Sequence, residues 1–207
     1  SEIDIVNAVY SVFCEIVPDV HDVVKYYRDN RTEVLECVRE MLERKQGSTV
    51  TRDEVKQLFI SLCFGGSVHA WRNEHSFREQ TRSGEPGQDL AELDGEWGTF
   101  LGRMEDALVI IRRKLVVKYP EEFAQLSWKS NAKASLSFHA YAHYEAEALQ
   151  RMRAACGLSG FSPEHDGIAV RGDPDELLEA CAKAVHPLLV AIKPYPADPL
   201  ELFRKLY

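Results

Sequence analysis

An acidic residue lies in a stretch of the chain that is typical of a β-hairpin. Residues 160–172 read Gly-Phe-Ser-Pro-Glu-His-Asp-Gly-Ile-Ala-Val-Arg-Gly, with apolar residues on both sides of His165, Asp166 and Gly167. Asp-Gly is a strong signal for a two-residue turn, and paired strands would fix the direction of a carboxylate at the tip. Such a carboxylate can bind a divalent cation. The alternative is an ordinary Asp-Gly turn preceded by a surface histidine.

A second acid lies in a short apolar run near the first residue. Residues 2–6 alternate as a strand does, and residues 7–16 follow with helical spacing of their apolar side chains. An acid among apolar residues costs free energy unless a cation or hydrogen bonds compensate, so Asp4 is a candidate metal ligand. The alternative is an exposed acid on an edge strand. Because a strand opens the sequence, we expect it to be a segment of a longer protein.

Capping residues predict the start of a helix that carries a third set of candidate functional residues. Thr51, with Glu54 three residues later, forms the capping-box pattern. It predicts a helix from Arg52 to about Leu62, ended by Phe64 and the two glycines that follow.

One face of this predicted helix combines charge with apolar surface. Arg52 and Lys56 are four residues apart and therefore share a face, which Ile60 extends by another turn. Cations followed by apolar groups suit a nucleoside triphosphate, because charge binds the phosphates and apolar surface binds the sugar and base. The alternative is an amphipathic helix with solvated basic residues.

Composition narrows the class of protein. The chain has 207 residues, of which 45% are apolar and 28% charged, which is enough for one domain with a subdomain. The net charge of −8 argues against a freestanding nucleic-acid binder. The five cysteines contain no Cys-x-x-Cys pair, which indicates neither a disulfide framework nor a zinc site and favours a reducing, intracellular location. No apolar run is long enough to span a membrane.

The rest of the sequence has mainly the periodicity of helices, and one apolar run in it is typical of a strand. Apolar stripes predict helices over 32–45, 90–119, 136–156 and 174–184, and the run 187–194 predicts a buried strand. Residues 77–89 have the composition of a loop. His139 and His143 are four apart on a predicted helix, but such a pair indicates zinc only with further ligands.

These features occur in an order that resembles a known superfamily. It contains the family A DNA polymerases and the phage-type single-subunit RNA polymerases. Its motif A is an aspartate that ends a strand leading into a helix, as Asp4 does. Motif B is an arginine, a lysine four residues later and an aromatic-glycine pair after eight more, which Arg52, Lys56, Phe64 and Gly65 match. Motif C is His-Asp in a hairpin, here residues 165–166.

The resemblance implies an α+β fold that is mainly helical. A small antiparallel palm sheet would consist of the motif A strand, the His-Asp hairpin and the C-terminal strand. Residues 1–30 and 136–207 would form the palm, with motif C in 160–172. Residues 31–135 would form a helical fingers subdomain with motif B in 52–65. Thumb and exonuclease regions are expected to be absent.

The implied activity is that of a DNA-directed DNA polymerase, which performs template-directed nucleotidyl transfer. Two Mg²⁺ or Mn²⁺ ions would be held by Asp4, Asp166 and the backbone carbonyl of Ile5. The expected partners are primer-template DNA and a dNTP, with no membrane. An upstream thumb or exonuclease region, or a partner chain, would grip the DNA, which would explain the acidic net charge.

The remaining motif residues would bind substrate. Arg52 and Lys56 would contact the triphosphate, and Lys56 would also donate a proton to pyrophosphate. Ile60 would lie against the sugar, and Phe64 would stack near the templating base pair. Gly65 would allow the template backbone to approach, and His165 would lie at the primer terminus.

Three positions depart from the family pattern. Gly167 replaces a third acid, for which Glu164 and Glu145 are candidates. Val9 stands where DNA polymerases usually carry a glutamate that excludes ribose, and Phe64 replaces a tyrosine. The choice of sugar therefore stays open, and an RNA polymerase-like enzyme is one alternative. The others are a non-catalytic helical interaction module and a metal-dependent phosphohydrolase built on His139, His143 and Asp166.

Overall fold

The computed structural model describes residues 2–17, 19, 22–46, 49–83, 93–157, 163–164, 167–169 and 174–193. Within these ranges the fold is mainly helical. The helices are α1 Ala8–Ile16, α2 Asp22–Asp29, α3 Arg31–Gln46, α4 Arg52–Cys63, α5 Val68–Ser83, α6 Gly95–Lys118, α7 Pro120–Gln125, α8 Ala132–Ala155 and α9 Pro174–Val185. The strands are β1 Glu2–Ile5, β2 Pro163–Glu164, β3 Gly167–Ala169 and β4 Val190–Lys193.

The chain divides into two compact units. The first, which we call the sheet unit, combines residues 1–15 with residues 142–207. The second, the helical unit, contains residues 16–141. No helix of the described ranges combines the length and the apolar character needed to cross a bilayer.

The sheet unit contains a four-stranded antiparallel sheet. Its strand order is β2-β3-β1-β4, so the N-terminal strand lies between the hairpin and the C-terminal strand. Ile3 pairs with Ile168 on one side and with Ile192 on the other, and both Ile3 and Ile168 are buried. Helix α9 covers β1 and β4. The predicted class, α+β and mainly helical with a small antiparallel sheet, is confirmed.

A tight junction joins β1 to α1. Asn7 has a φ of +52°, a left-handed conformation that asparagine tolerates better than most residues because its short polar side chain can bond locally. The Ser11 hydroxyl donates a hydrogen bond of 2.7 Å to the carbonyl of Val6. The Val6 amide in turn donates to the Leu189 carbonyl over 2.8 Å. These contacts fix the direction in which the chain leaves β1, as the sequence predicts for a strand that leads into a helix.

The helical unit packs around α4. This helix contacts α3, α5 and α6, and its buried side chains are Val55, Leu58, Phe59, Leu62 and Cys63. Phe59 stacks on Tyr27 of α2 with ring centroids 4.2 Å apart. Burial of such side chains contributes on the order of 2 kcal/mol each, so α4 is held mainly by its apolar face.

Both ends of α4 have the capping that the sequence predicts. The Glu54 amide donates to the Thr51 hydroxyl over 3.2 Å, and the Thr51 amide donates to the Glu54 carboxylate over 2.7 Å. At the other end the Gly66 amide donates to Ser61 and the Gly65 amide to Leu62, which is a Schellman motif. Gly65 has the required positive φ, +92°. The predicted capping box and glycine stop are confirmed.

Several segments differ from the sequence prediction. Helix α6 begins at Gly95, five positions after its predicted start. The prediction of a buried strand over 187–194 is wrong in length and in burial, because β4 is limited to Val190–Lys193 and its residues 190–192 are partly exposed or exposed. Residues 77–83 are predicted as loop, but α5 continues through Ser83. The polar composition of this segment hid the helix, because a helix with little apolar surface lacks the periodicity that identifies it. Helix α8 begins at Ala132, four positions before its predicted start. Residues 84–92 lie outside the described ranges.

Two of the five thiols lie together in the sheet unit. The sulfur atoms of Cys156, after α8, and Cys181, in α9, are 3.3 Å apart. Burial, together with the hydrogen bond and charge of Cys156, raises the pKa of Cys181 to about 12. The Cys181 thiol is therefore protonated at neutral pH. None of the five cysteines, all of which lie in the described ranges, forms a disulfide bond.

We expect Gly65→Ala to destabilise the protein more than Gly95→Ala does. Both glycines have a positive φ, +92° and +77°, which costs alanine about 1–2 kcal/mol. Only at Gly65 would the added Cβ meet a neighbour, the Cβ of Ala134 at 2.8 Å, whereas nothing lies within 4 Å at Gly95. In urea unfolding, the loss in the free energy of unfolding should be larger for Gly65→Ala than for Gly95→Ala, by at least about 1 kcal/mol. Equal losses would contradict the close approach of α4 and α8.

Candidate functional site

Asp4 lies on the central strand of the sheet, on the face opposite to the core. Its neighbours along β1, Ile3 and Ile5, are buried, whereas Asp4 is partly exposed. Residues directly opposite one another in antiparallel strands project to the same face. The residues opposite Asp4 are Gly167 in β3 and Ala191 in β4. The carboxylate therefore has the two smallest residues as its cross-strand neighbours, and its Oδ1 atom is buried.

Gly167 has a steric reason to be glycine. A Cβ at this position would clash with Oδ1 of Asp4 and would lie 2.8 Å from the Ile3 carbonyl oxygen. The carboxylate of Asp4 thus lies over the backbone of Gly167. In this side-chain orientation no residue larger than glycine fits at position 167.

The other predicted catalytic acid, Asp166, is the second residue after β2 in the chain. His165 and Asp166 lie outside the described residues. The residues on either side, Glu164 and Gly167, are paired across β2 and β3. Gly167 is also paired with Asp4. The residue that follows Asp166 in the sequence therefore lies directly opposite Asp4 in the sheet.

The sheet unit also contains the other predicted residues from the two ends of the sequence. Ile5, the predicted carbonyl ligand, is the last residue of β1 and its side chain is buried. Val9 lies in the first turn of α1 and is partly exposed. Of the two candidates for a third acid, Glu145 is a partly exposed residue of α8 and Glu164 belongs to β2.

The stripe of α4 that the sequence singles out lies away from the buried face of the helix. Arg52 is exposed, and Lys56 and Ile60 are partly exposed. Lys56 makes no ion pair with any residue in the described part of the chain, so its ammonium group is available to an anion. Arg52 lies near Glu36, whose pKa is lowered mainly by a hydrogen bond from Arg39 and to a smaller degree by the charge of Arg52.

Phe64 belongs to an aromatic cluster at the C-terminal end of α4. Its ring meets Phe138 edge-to-face with centroids 5.6 Å apart, and Tyr141 at 6.1 Å. Phe64 is partly exposed and Phe138 is 50% exposed. Exposed aromatic faces provide stacking surface for a planar ligand. The sequence argument missed Phe138 and Tyr141 as partners of Phe64, because no local spacing connects residues so far apart in the chain.

Gly65 is exposed, and its identity has a structural explanation. It supplies the positive φ that ends α4, and it allows Ala134 of α8 to approach. Its predicted contact with the template backbone is a separate role and stays a prediction.

The predicted histidine pair of α8 lies on the surface. His139 and His143 are both exposed, and Nε2 of His143 lies 3.5 Å from Glu147. Among the described residues, which exclude Asp166, no group of three or more metal-ligating side chains is gathered. Comparison of the chain with family models, curated proteins and solved structures gave no match.

We expect the cost of Gly167→Ala to depend on the carboxylate of Asp4. An added methyl group collides with Oδ1 of Asp4, and overpacking of this kind costs about 1–3 kcal/mol. Replacing Asp4 by alanine removes this atom, although the close approach of 2.8 Å to the Ile3 carbonyl oxygen stays. In a double-mutant cycle followed by urea unfolding, Gly167→Ala should therefore cost less in the Asp4→Ala background, by about 1 kcal/mol or more. Additive losses would show that the carboxylate does not lie over Gly167.

Proposed function

We propose that this chain performs template-directed nucleotidyl transfer and is a DNA-directed DNA polymerase of the family A kind. The observation that carries the proposal is the strand order β2-β3-β1-β4. It pairs the strand of one predicted catalytic acid with the hairpin of the other, two segments from opposite ends of the sequence. In this proposal the sheet unit is the palm and the helical unit supplies the fingers.

The chemistry of Asp4 and its surroundings fits a hard divalent cation. Mg²⁺ and Mn²⁺ prefer oxygen ligands and keep several water molecules. Asp4, a partly exposed residue beside Gly167 and Ala191, would offer such an ion an oxygen ligand. Asp4 and Asp166, with the carbonyl of Ile5, would hold two ions. When bound, the ions activate the primer hydroxyl group and offset the charge of the triphosphate.

Helix α4 carries the residues for the nucleotide. Arg52 would bind the triphosphate through its guanidinium group, which matches phosphate oxygens in geometry. Lys56 would bind the same phosphates and donate a proton to the leaving pyrophosphate. Ile60 would lie against the sugar, and Gly65 would allow the template backbone to approach.

The aromatic cluster supplies stacking surface for a base. Phe64, with Phe138 and Tyr141 beside it, would stack near the templating pair, and His165 would lie at the primer terminus. Base stacking on an aromatic ring is worth about 1–3 kcal/mol and depends little on sequence. Val9 and Phe64 lack the carboxylate and hydroxyl that would sense the ribose 2′ position, so discrimination between dNTP and rNTP would be weak.

Primer-template DNA would need further basic surface. The net charge of −8 repels a phosphate backbone. We therefore propose that an upstream thumb or exonuclease region, or a partner chain, grips the DNA in an intracellular replication or repair setting.

We expect Asp4→Asn and Asp166→Asn each to reduce primer extension at least about 100-fold. Each substitution removes one carboxylate charge from the proposed metal ligands. Gel-based extension of a labelled primer-template with Mg²⁺ and dNTP measures the rate. Isothermal titration of Mn²⁺ with dNTP should show the matching loss of metal-dependent binding. Glu179→Gln, which removes the same charge from an exposed position of α9, should keep both activities.

Wild-type and Asp166→Asn proteins that bind metal and nucleotide equally would contradict the proposal. In that outcome a non-catalytic interaction module would explain the chain better.

We expect Lys56→Met to weaken the binding of dNTP and to slow extension by about 10- to 100-fold. The substitution keeps the apolar part of the side chain and removes only the ammonium charge. Lys133→Met, at an exposed position of α8, is the matched control and should have little effect. The measurement is the dNTP dependence of single-turnover extension, which separates binding from rate. A loss of the same size in both variants would indicate a general charge effect instead of a phosphate contact.

A further inference from the structure

A cavity lies between α4 and α5, apart from the stripe that carries Arg52 and Lys56. Its volume is about 440 Å³, and the side chains that matter for its chemistry are Glu54, Gln57, Ser61, Trp71, Glu74 and His75. We propose that this cavity binds a divalent transition-metal ion such as Zn²⁺, through Nε2 of His75 and Oε1 of Glu54. The proposal does not depend on the polymerase activity.

His75 is buried in a way that calls for a ligand. The residue is only 5% exposed. In the described part of the chain Nδ1 has no hydrogen-bond partner, and Nε2 has only a long contact of 3.4 Å with Oε1 of Glu54. Buried polar groups are nearly always satisfied by protein, water or an ion, because an unsatisfied group loses its hydration without replacement. The imidazole ring lines the cavity, so the missing partner would have to enter there.

The spacing of the two proposed ligands suits one metal ion. Nε2 of His75 and Oε1 of Glu54 are 3.4 Å apart. A charge-assisted hydrogen bond would be shorter, about 2.7–2.9 Å. Two ligand atoms at about 2.0–2.1 Å from a tetrahedral zinc ion are separated by roughly 3.4 Å. The contact is a long ion pair, and the same separation would allow both atoms to coordinate one ion.

The orientation of the Glu54 carboxylate is already fixed. Its Oε2 atom accepts hydrogen bonds of 2.7 Å from both the amide and the hydroxyl of Thr51, which leaves Oε1 directed towards His75. Burial tends to raise the pKa of Glu54, but the bonds from Thr51 and the proximity of His75 together lower it below its ordinary value. The carboxylate is therefore ionised at neutral pH and needs no proton release to bind a cation.

The remaining lining determines which kind of ligand is accepted. Glu54 and Glu74 bring negative charge, and the described lining contains no lysine or arginine, so phosphates and other anions are disfavoured. The imidazole nitrogen favours zinc, copper, cobalt or nickel over Mg²⁺, which prefers oxygen. Water, held by Gln57 and Ser61, would fill the further coordination positions.

Trp71 provides a direct readout of this site. Its ring stacks on that of His75 with centroids 5.1 Å apart and an interplanar angle of 27°. Co²⁺ bound to His75 would quench the fluorescence of Trp71, and the filled-shell ion Zn²⁺ would restore it on displacing Co²⁺. All proteins in the test carry His139→Ala and His143→Ala, which remove the exposed histidine pair of α8.

The experiment is a titration of this background protein with Co²⁺, followed by Zn²⁺. We expect saturable quenching that Zn²⁺ reverses, and no such quenching in Trp71→Phe. His75→Phe keeps an aromatic ring against Trp71 and should abolish binding. Glu54→Gln, which keeps the capping-box pattern, should weaken binding at least 10-fold. His69→Ala, at an exposed position of the same helix, should bind as the background protein does.

Two results would overturn the proposal. One is the absence of saturable quenching in the background protein. The other is an unchanged Co²⁺ affinity in Glu54→Gln, which tests the site even if His75→Phe does not fold.

Discussion

The pairing of β1 with both of its neighbours is the constraint on which the sheet unit depends. All four residues of β1 pair with β4, and the first three, Glu2 to Asp4, also pair with β3 on the other side. Because side chains alternate along a strand, a register that buries Ile3 and Ile5 also places Asp4 on the opposite face. A slip of one residue would bury the carboxylate and expose the isoleucines. The apolar core thus fixes the position of the proposed catalytic acid.

Features with local causes could be predicted from the sequence. The capping residues of α4 are three apart, and its glycine stop needs only a positive φ, so neighbouring residues were enough to give its bounds. The strand-to-helix junction at Asn7 and the two strands around His165 and Asp166 were predictable for the same reason. Their joining into one sheet was predicted only through the resemblance to polymerases, since short strands do not reveal their partners.

Contacts between distant segments escaped the sequence argument. Cys156 and Cys181 have no motif spacing, yet their sulfur atoms meet. Phe64 and Phe138 come from separate helices, and each alone is an ordinary apolar residue. Glu54 was predicted as a capping residue, but its second oxygen atom faces His75 from another helix. In each case the information lies in how helices pack, and helix periodicity does not contain it.

The division of the chain has a consequence for synthesis on the ribosome. The helical unit, residues 16–141, interrupts the sheet unit between residues 15 and 142, so it separates β1 from the other strands in the sequence. Its contacts are formed within one continuous segment, so it can fold while the C-terminal strands are still being made. β1 must wait for partners that follow much later, which keeps Ile3 and Ile5 exposed in the nascent chain. A chaperone that shields short apolar segments would therefore assist this protein chiefly at its N-terminal strand.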